Sequence, residues 1–172
     1  ANFVINGGGI PKIILQSNDK VIVCRQNGAE TEIKLARYNT DGSVDTTFGS
    51  QGYITFPGFR IENLFKLNND DFIVGFANQG TPSVYKKFTA NGVEVAGFTL
   101  NGTNYFEFAG GAKADIGIVS ANNEFILGGS LGRMKLYKFV ETIQTPPAIT
   151  QSGAVLYANA TGGGLTFQWY LN

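Results

Sequence analysis

The sequence predicts an all-β fold built from small antiparallel sheets in tandem, and three observations carry that prediction. Turn signals recur along the chain, with 23 glycines and with Ser-Asn-Asp, Gln-Asn-Gly and Asp-Gly clusters between short runs rich in Val, Ile, Leu, Tyr and Phe. No stretch shows a convincing helical period. The runs also return, in order, at an interval of roughly fifty residues.

The repeat can be followed segment by segment. "NDKVIVC" at 18–24 returns as "NDDFIVG" at 69–75 and "NNEFILG" at 122–128, so Val21, Phe72 and Phe125 correspond. "IKLARY" at 33–38 returns as "SVYKKF" at 83–88 and "MKLYKF" at 134–139. "YNTDG" at 38–42 is matched by "FTANG" at 88–92, and "GYITF" at 52–56 by "NYFEF" at 104–108. In the first unit the β-like runs fall near 12–16, 20–25, 31–39 and 53–56. Four strands at this period suit the blade of a β-propeller, whose sheet packs face to face on its neighbours. A lone blade cannot bury both faces, so each unit depends on the next.

The units run over 10–58, 59–111 and 112–140, and residues 1–9 read as the last strand of a preceding or closing unit. The third unit offers three strands and loses the pattern after Val140. Propellers ordinarily have four to eight blades. A stretch of a longer array is therefore expected, with a closed three-sheet ring completed by the N-terminal strand as the alternative. A Pro- and Thr-bearing linker follows at 141–147. Residues 148–172 read as the beginning of an immunoglobulin-like β-sandwich, with Trp169 as a core anchor.

Composition narrows the function classes. Lys+Arg and Asp+Glu both number 13, so no net charge draws the chain to nucleic acid, and none is expected as a partner. No apolar run approaches the ~20 residues of a transmembrane helix. The chain contains no His, and Cys24, its single cysteine, has no imidazole to activate it and no partner for an internal disulfide. Catalytic residues and an organic cofactor are not expected.

"LQSNDKVIV" followed by "LARYNTDGSVDTTFGSQGYITF" resembles the bacterial tandem units called delta-sixty repeats. The resemblance is close over 13–56, degenerate over 64–108 and weak over 116–139. "ITQSGAVLYANATGGGLTFQWYLN" is similar to the immunoglobulin-like modules of secreted Bacteroidota proteins, which often precede a type IX sorting domain. Together the resemblances imply an exported, multi-module protein, extracellular or on the outer-membrane surface, with the type IX secretion machinery as a partner.

Several motifs have residue types that could carry chemistry. Asn39, Asp41 and Asp45 partly resemble a calcium loop, but Arg37 stands at the first ligand position and no Glu closes the run. We read the stretch as a hairpin corner, with calcium as the rival. Asp41-Gly42 and Asn91-Gly92 are dipeptides suited to positive φ in tight turns. Asp70 and Asp71 read as polar tip residues rather than an acid–base pair. Cys24, aligned with Gly75 and Gly128, reads as a small buried strand residue. Gly7–Gly9 and Gly162–Gly164 read as turns. Arg37, Lys87 and Lys138 recur at one repeat position beside an aromatic residue. The simple reading is an ion pair at each; the functional reading is a ligand-binding row for glycans or other surface polymers. The expected function is a non-enzymatic adhesion or ligand-binding platform or spacer, the alternative being a non-catalytic scaffold part of a larger secreted hydrolase.

Overall fold

The computed structural model describes residues 8–77, 83–100, 105–106, 116–122, 124–130, 134–139, 141–143, 148–152 and 155–159. They are all β. The first sheet contains β1 (Gly8–Leu15), β2 (Val21–Gln26), β3 (Glu32–Tyr38) and β4 (Tyr53–Pro57), antiparallel and in that order. The second contains β5 (Arg60–Lys66), β6 (Phe72–Ala77) and β7 (Ser83–Phe88). After β8 (Phe98–Leu100), β9 (Tyr105–Phe106) returns to pair with β7 as the second sheet's last strand. The third is β10 (Ile116–Val119), β11 (Phe125–Ser130) and β12 (Met134–Phe139). Two pairings follow: β13 (Glu141–Ile143) with β8, and β14 (Ala148–Ser152) with β15 (Val155–Asn159).

Strand alternation decides which residues meet. Side chains of successive strand residues point to opposite faces. On the first sheet Ile22, Cys24, Ile33 and Leu35 share one face, joined by Phe48, and meet Phe72, Val74, Phe76 and Phe88 of the second sheet. On the second sheet's other face Phe65, Ile73 and Tyr85, joined by Phe98, meet Phe125 and Leu127 of the third. Each sheet thus has a leading face turned to the unit before it and a trailing face turned to the unit after it. The first strands β1, β5 and β10 lie side by side, β1 against β5 and β5 against β10. This is the stacking of propeller-like blades.

The corner after the third strand is the same in both units where it is described. Gly42 and Gly92 adopt φ of 89° and 85°. Isolated bridges join Tyr38 to Val44 and Phe88 to Glu94. The stretch at 39–45 is therefore a hairpin corner, set by an Asx-Gly turn.

Some expectations need amendment. In a closed three-sheet ring, the leading face of the first sheet and the trailing face of the third would bury each other. Ile13 on the former and Ile118 on the latter are instead exposed, so the described residues form an open stack. Gly8 and Gly9 lie within β1, where Gly9 (φ 72°) belongs to a register shift, not a turn between strands. The segment read as a linker begins with strand β13, because β8 offers it an edge. Of residues 1–9, read as a preceding unit's last strand, 1–7 lie outside the described residues, as do residues 162–164 and Trp169; of the immunoglobulin-like segment only the hairpin β14–β15 is described.

Candidate functional site

The repeated cation position comes first, because the sequence singles it out. Arg37 lies on the trailing face of β3 and is almost fully buried. Its Nε donates to Asp45 Oδ2 at 2.7 Å, and its Nη2 to Thr47 Oγ1 at 3.2 Å. Its Nη1 crosses to the second sheet, donating to the Ala90 carbonyl at 2.8 Å and to Asn91 Oδ1 at 3.1 Å. The guanidinium also stands 5.0 Å from the centre of the Phe48 ring. Gln16 Nε2 reinforces the junction by donating to the carbonyls of Asp70 and Ala90. Lys20 Nζ adds a second cation 2.7 Å from Asp45 Oδ2. Burial pushes the Asp45 carboxyl up, but hydrogen bonds from Lys20 and Thr47 and the charge of Arg37 outweigh it, holding the group well below the usual carboxylate range.

These contacts define what Arg37 does: it latches the first sheet to the second. Lys87 is also buried, 3.8 Å from Asp71 Oδ2. Lys138 is the exposed member of the three and pairs with Glu124 at 2.7 Å. The structure therefore does not gather Arg37, Lys87 and Lys138 into an exposed strip. Two of them are turned inward, where a polymer cannot reach them.

The calcium candidates are similarly engaged. Asp41 Oδ1 accepts from the Ser43 amide at 2.8 Å and the Ser43 hydroxyl at 2.7 Å, which lower its pKa. Asn39 Nδ2 donates to Ser43 Oγ. Asp45 is held by two cations. Among the described residues no three His, Cys, Asp or Glu side chains gather into a metal-binding group.

Asp70 and Asp71 serve the tips. Asp70 holds φ of 64° and its carboxylate accepts from the Ser17 amide and hydroxyl of the first sheet and from Lys66 Nζ. Burial raises its pKa, but the Ser17 and Lys66 hydrogen bonds win and lower it. Asp71 Oδ1 accepts from the Ala90 amide at 2.9 Å. Cys24 is buried, and burial pushes its thiol up, away from the reactive thiolate.

A cleft that the motif reading missed lies at the other end of the first strands. It encloses about 410 Å³ and is lined by Gly9, Ile10 and Lys12 of β1, Gln26 of β2, and Arg60, Ile61 and Glu62 of β5. Both first strands shift register here, between Gly8 and Lys12 in β1 and between Ile61 and Asn63 in β5. Such bulges re-aim side chains. Pro11 occupies one and Glu62 the corresponding place in the other. Glu62 is buried; its Oε1 accepts from Arg60 Nη2 at 3.3 Å, while its Oε2 has no hydrogen-bond partner among the described residues. The signal in the sequence was an acid replacing a proline at one repeat position. The cleft can offer cations at Lys12 and Arg60, an amide at Gln26 and apolar surface from Ile10 and Ile61.

Among the described residues no helix is long and apolar enough to cross a membrane. No curated protein and no solved structure matches the chain. Residues 16–48, which hold the β2–β3 hairpin, the Arg37–Asp45 latch and the corner through Phe48, match the family model of a β-propeller domain of unknown function, DUF5122. Repeats, stacked sheets and this match together describe a propeller-like repeat protein.

Proposed function

We propose that the chain is a non-enzymatic module of an exported or surface protein, of the secreted Bacteroidota type its sequence resembles. Its stacked sheets form a stiff frame, and the cleft between β1 and β5 takes a carboxylated sugar unit of a surface polymer. The observation that carries this reading is the pair of cations, Lys12 and Arg60, on the wall of one cleft with the Gln26 amide and two apolar side chains. A sugar acid supplies a carboxylate for Lys12 and Arg60 and hydroxyls for the Gln26 amide, and its ring can rest on Ile10 and Ile61. The volume lies toward the small end of ligand clefts, which run from about 300 to 1,000 Å³.

The test is titration of the protein with glucuronate- and galacturonate-containing oligosaccharides, with neutral oligosaccharides of equal length as controls. The acidic sugars should bind and the neutral ones should not. Lys12→Ala with Arg60→Ala should weaken binding by about tenfold or more, as expected for lost charge-assisted hydrogen bonds. Absence of binding to every acidic sugar would remove the ligand role and leave a spacer.

A further inference from the structure

We propose that Glu62 sets the charge selectivity of the cleft between β1 and β5, admitting sugar acids with one negative charge per unit and rejecting those that also carry sulfate. The inference rests on the reading that this cleft takes a sugar acid, and it narrows the class of polymer.

The lining side chains carry two cations, Lys12 and Arg60, and one anion, Glu62. Together they leave one net positive charge, which a single carboxylate balances. Gln26 adds none. Its Nε2 donates to Glu30 Oε1 at 3.3 Å, and a methyl group on Gly9 would lie 2.8 Å from its Cδ, so the amide is held close against the β1 backbone. Glu30 is exposed at the tip of the β2–β3 hairpin, outside the lining, where water and salt screen its charge. Glu62 differs. Its side chain is 2% exposed, against 43% for Arg60, and a buried charge is screened much less.

The repeat shows that the fold does not require an acid at this place. Glu62 corresponds to Pro11 of β1, and both positions fall in a register shift. The first bulge is made with a residue that has no charge and no amide hydrogen. Burying a carboxylate is costly, and a buried ion pair is weak evidence of added stability. What the acid adds is discrimination, because a like charge set against part of a ligand disfavours the wrong ligand more than the right one. Glu62 Oε1 accepts from one nitrogen of the Arg60 fork, Nη2. The fork has further N–H donors, so Arg60 can hold Glu62 and a ligand carboxylate together. A second anionic group on the ligand meets no further cation in the lining and is repelled by Glu62.

The test is titration of the full chain with galacturonate oligosaccharides and with O-sulfated uronate oligosaccharides of equal length. The unsubstituted protein should bind the unsulfated series more tightly. Glu62→Gln keeps the shape and removes the charge, and Glu62→Pro installs the residue that the β1 bulge carries; circular dichroism should show both folded. In each variant the sulfated series should gain about fivefold or more relative to the unsulfated one, the order expected when one like charge is removed from a half-buried site. A merely structural Glu62 would lower both affinities together and leave their ratio unchanged, and that result overturns the proposal. So does an unsubstituted protein that prefers the sulfated sugars. Uronate binding itself stands in both of those cases. Failure of every acidic sugar to bind any of the three proteins removes the cleft reading and this inference with it.

Discussion

At the residue scale, the Arg37–Asp45 pair decides more than any other contact. Both side chains are nearly buried, 3% and 5% exposed, and the guanidinium is shared between Asp45, Thr47, Ala90 and Asn91. Removing one partner of a buried pair strands the other, which costs about 3–5 kcal/mol. Asp45→Ala should therefore lower the urea-unfolding free energy by that order, and Arg37→Met with Asp45→Leu should recover most of it. The same carboxyl gives an acid limb to stability. Its folded pKa lies below the unfolded value of about 4, so its contribution is complete above pH about 4 and is lost as pH falls further toward the folded value. Unfolding measured against pH should show this slope, and Asp45→Ala should flatten it. Gly75 makes a second residue-scale case. It sits opposite Tyr85, where the first sheet has Cys24 opposite Leu35. The smaller strand residue accompanies the larger partner. A methyl group on Gly75 would lie 2.7 Å from the Tyr85 ring. Gly75→Ala should cost about 1–3 kcal/mol by overpacking, and Tyr85→Leu should relieve it in a double-mutant cycle.

At the element scale, each sheet is completed by its neighbour. Phe72 of β6 is fully buried, stacks on Phe88 at 5.3 Å and reaches Phe48 of the first unit at 6.0 Å. Phe72→Ala should lower stability by about 3–5 kcal/mol. Hydrogen exchange should quicken in β2 and β3 as well as in β6, because the lost ring belonged to a shared core. The sequence carried most of this element-level order. Period-two alternation and turn residues placed the strands, and the Asx-Gly dipeptides placed the corners at Gly42 and Gly92. The pairing of β8 with β13 was not legible, since Phe98–Leu100 and Glu141–Ile143 are short and distant and pairing is a non-local choice. The cation position was visible at Arg37, Lys87 and Lys138, but its burial was not. Whether a charge faces water depends on partners such as Ala90 and Asn91, contributed by the next unit. The cleft around Glu62 arises from bulges in two strands roughly fifty residues apart, and alternation alone does not reveal a register shift.

At the scale of the whole molecule, the structure is a short stack in which the middle sheet belongs to two cores. Its front core binds it to the first sheet through Phe72, Val74 and Phe76, its back core to the third through Phe65, Ile73 and Tyr85. Stability is then a sum of unit and neighbour terms, as in other repeat proteins. Neighbour-dependent sheets also explain why the Arg37 latch, the Asp70–Ser17 tip bond and the Asn68–Ala121 bond all cross from one unit to the next. The most direct test is a nuclear Overhauser spectrum of protein labelled at phenylalanine. Cross-peaks are predicted between the rings of Phe48 and Phe72 and between those of Phe65 and Phe125, whose centres lie 6.0 Å apart in both pairs. Cross-peaks confined to pairs within one sheet, such as Phe72 and Phe88, would show sheets that do not cover one another and would contradict the account.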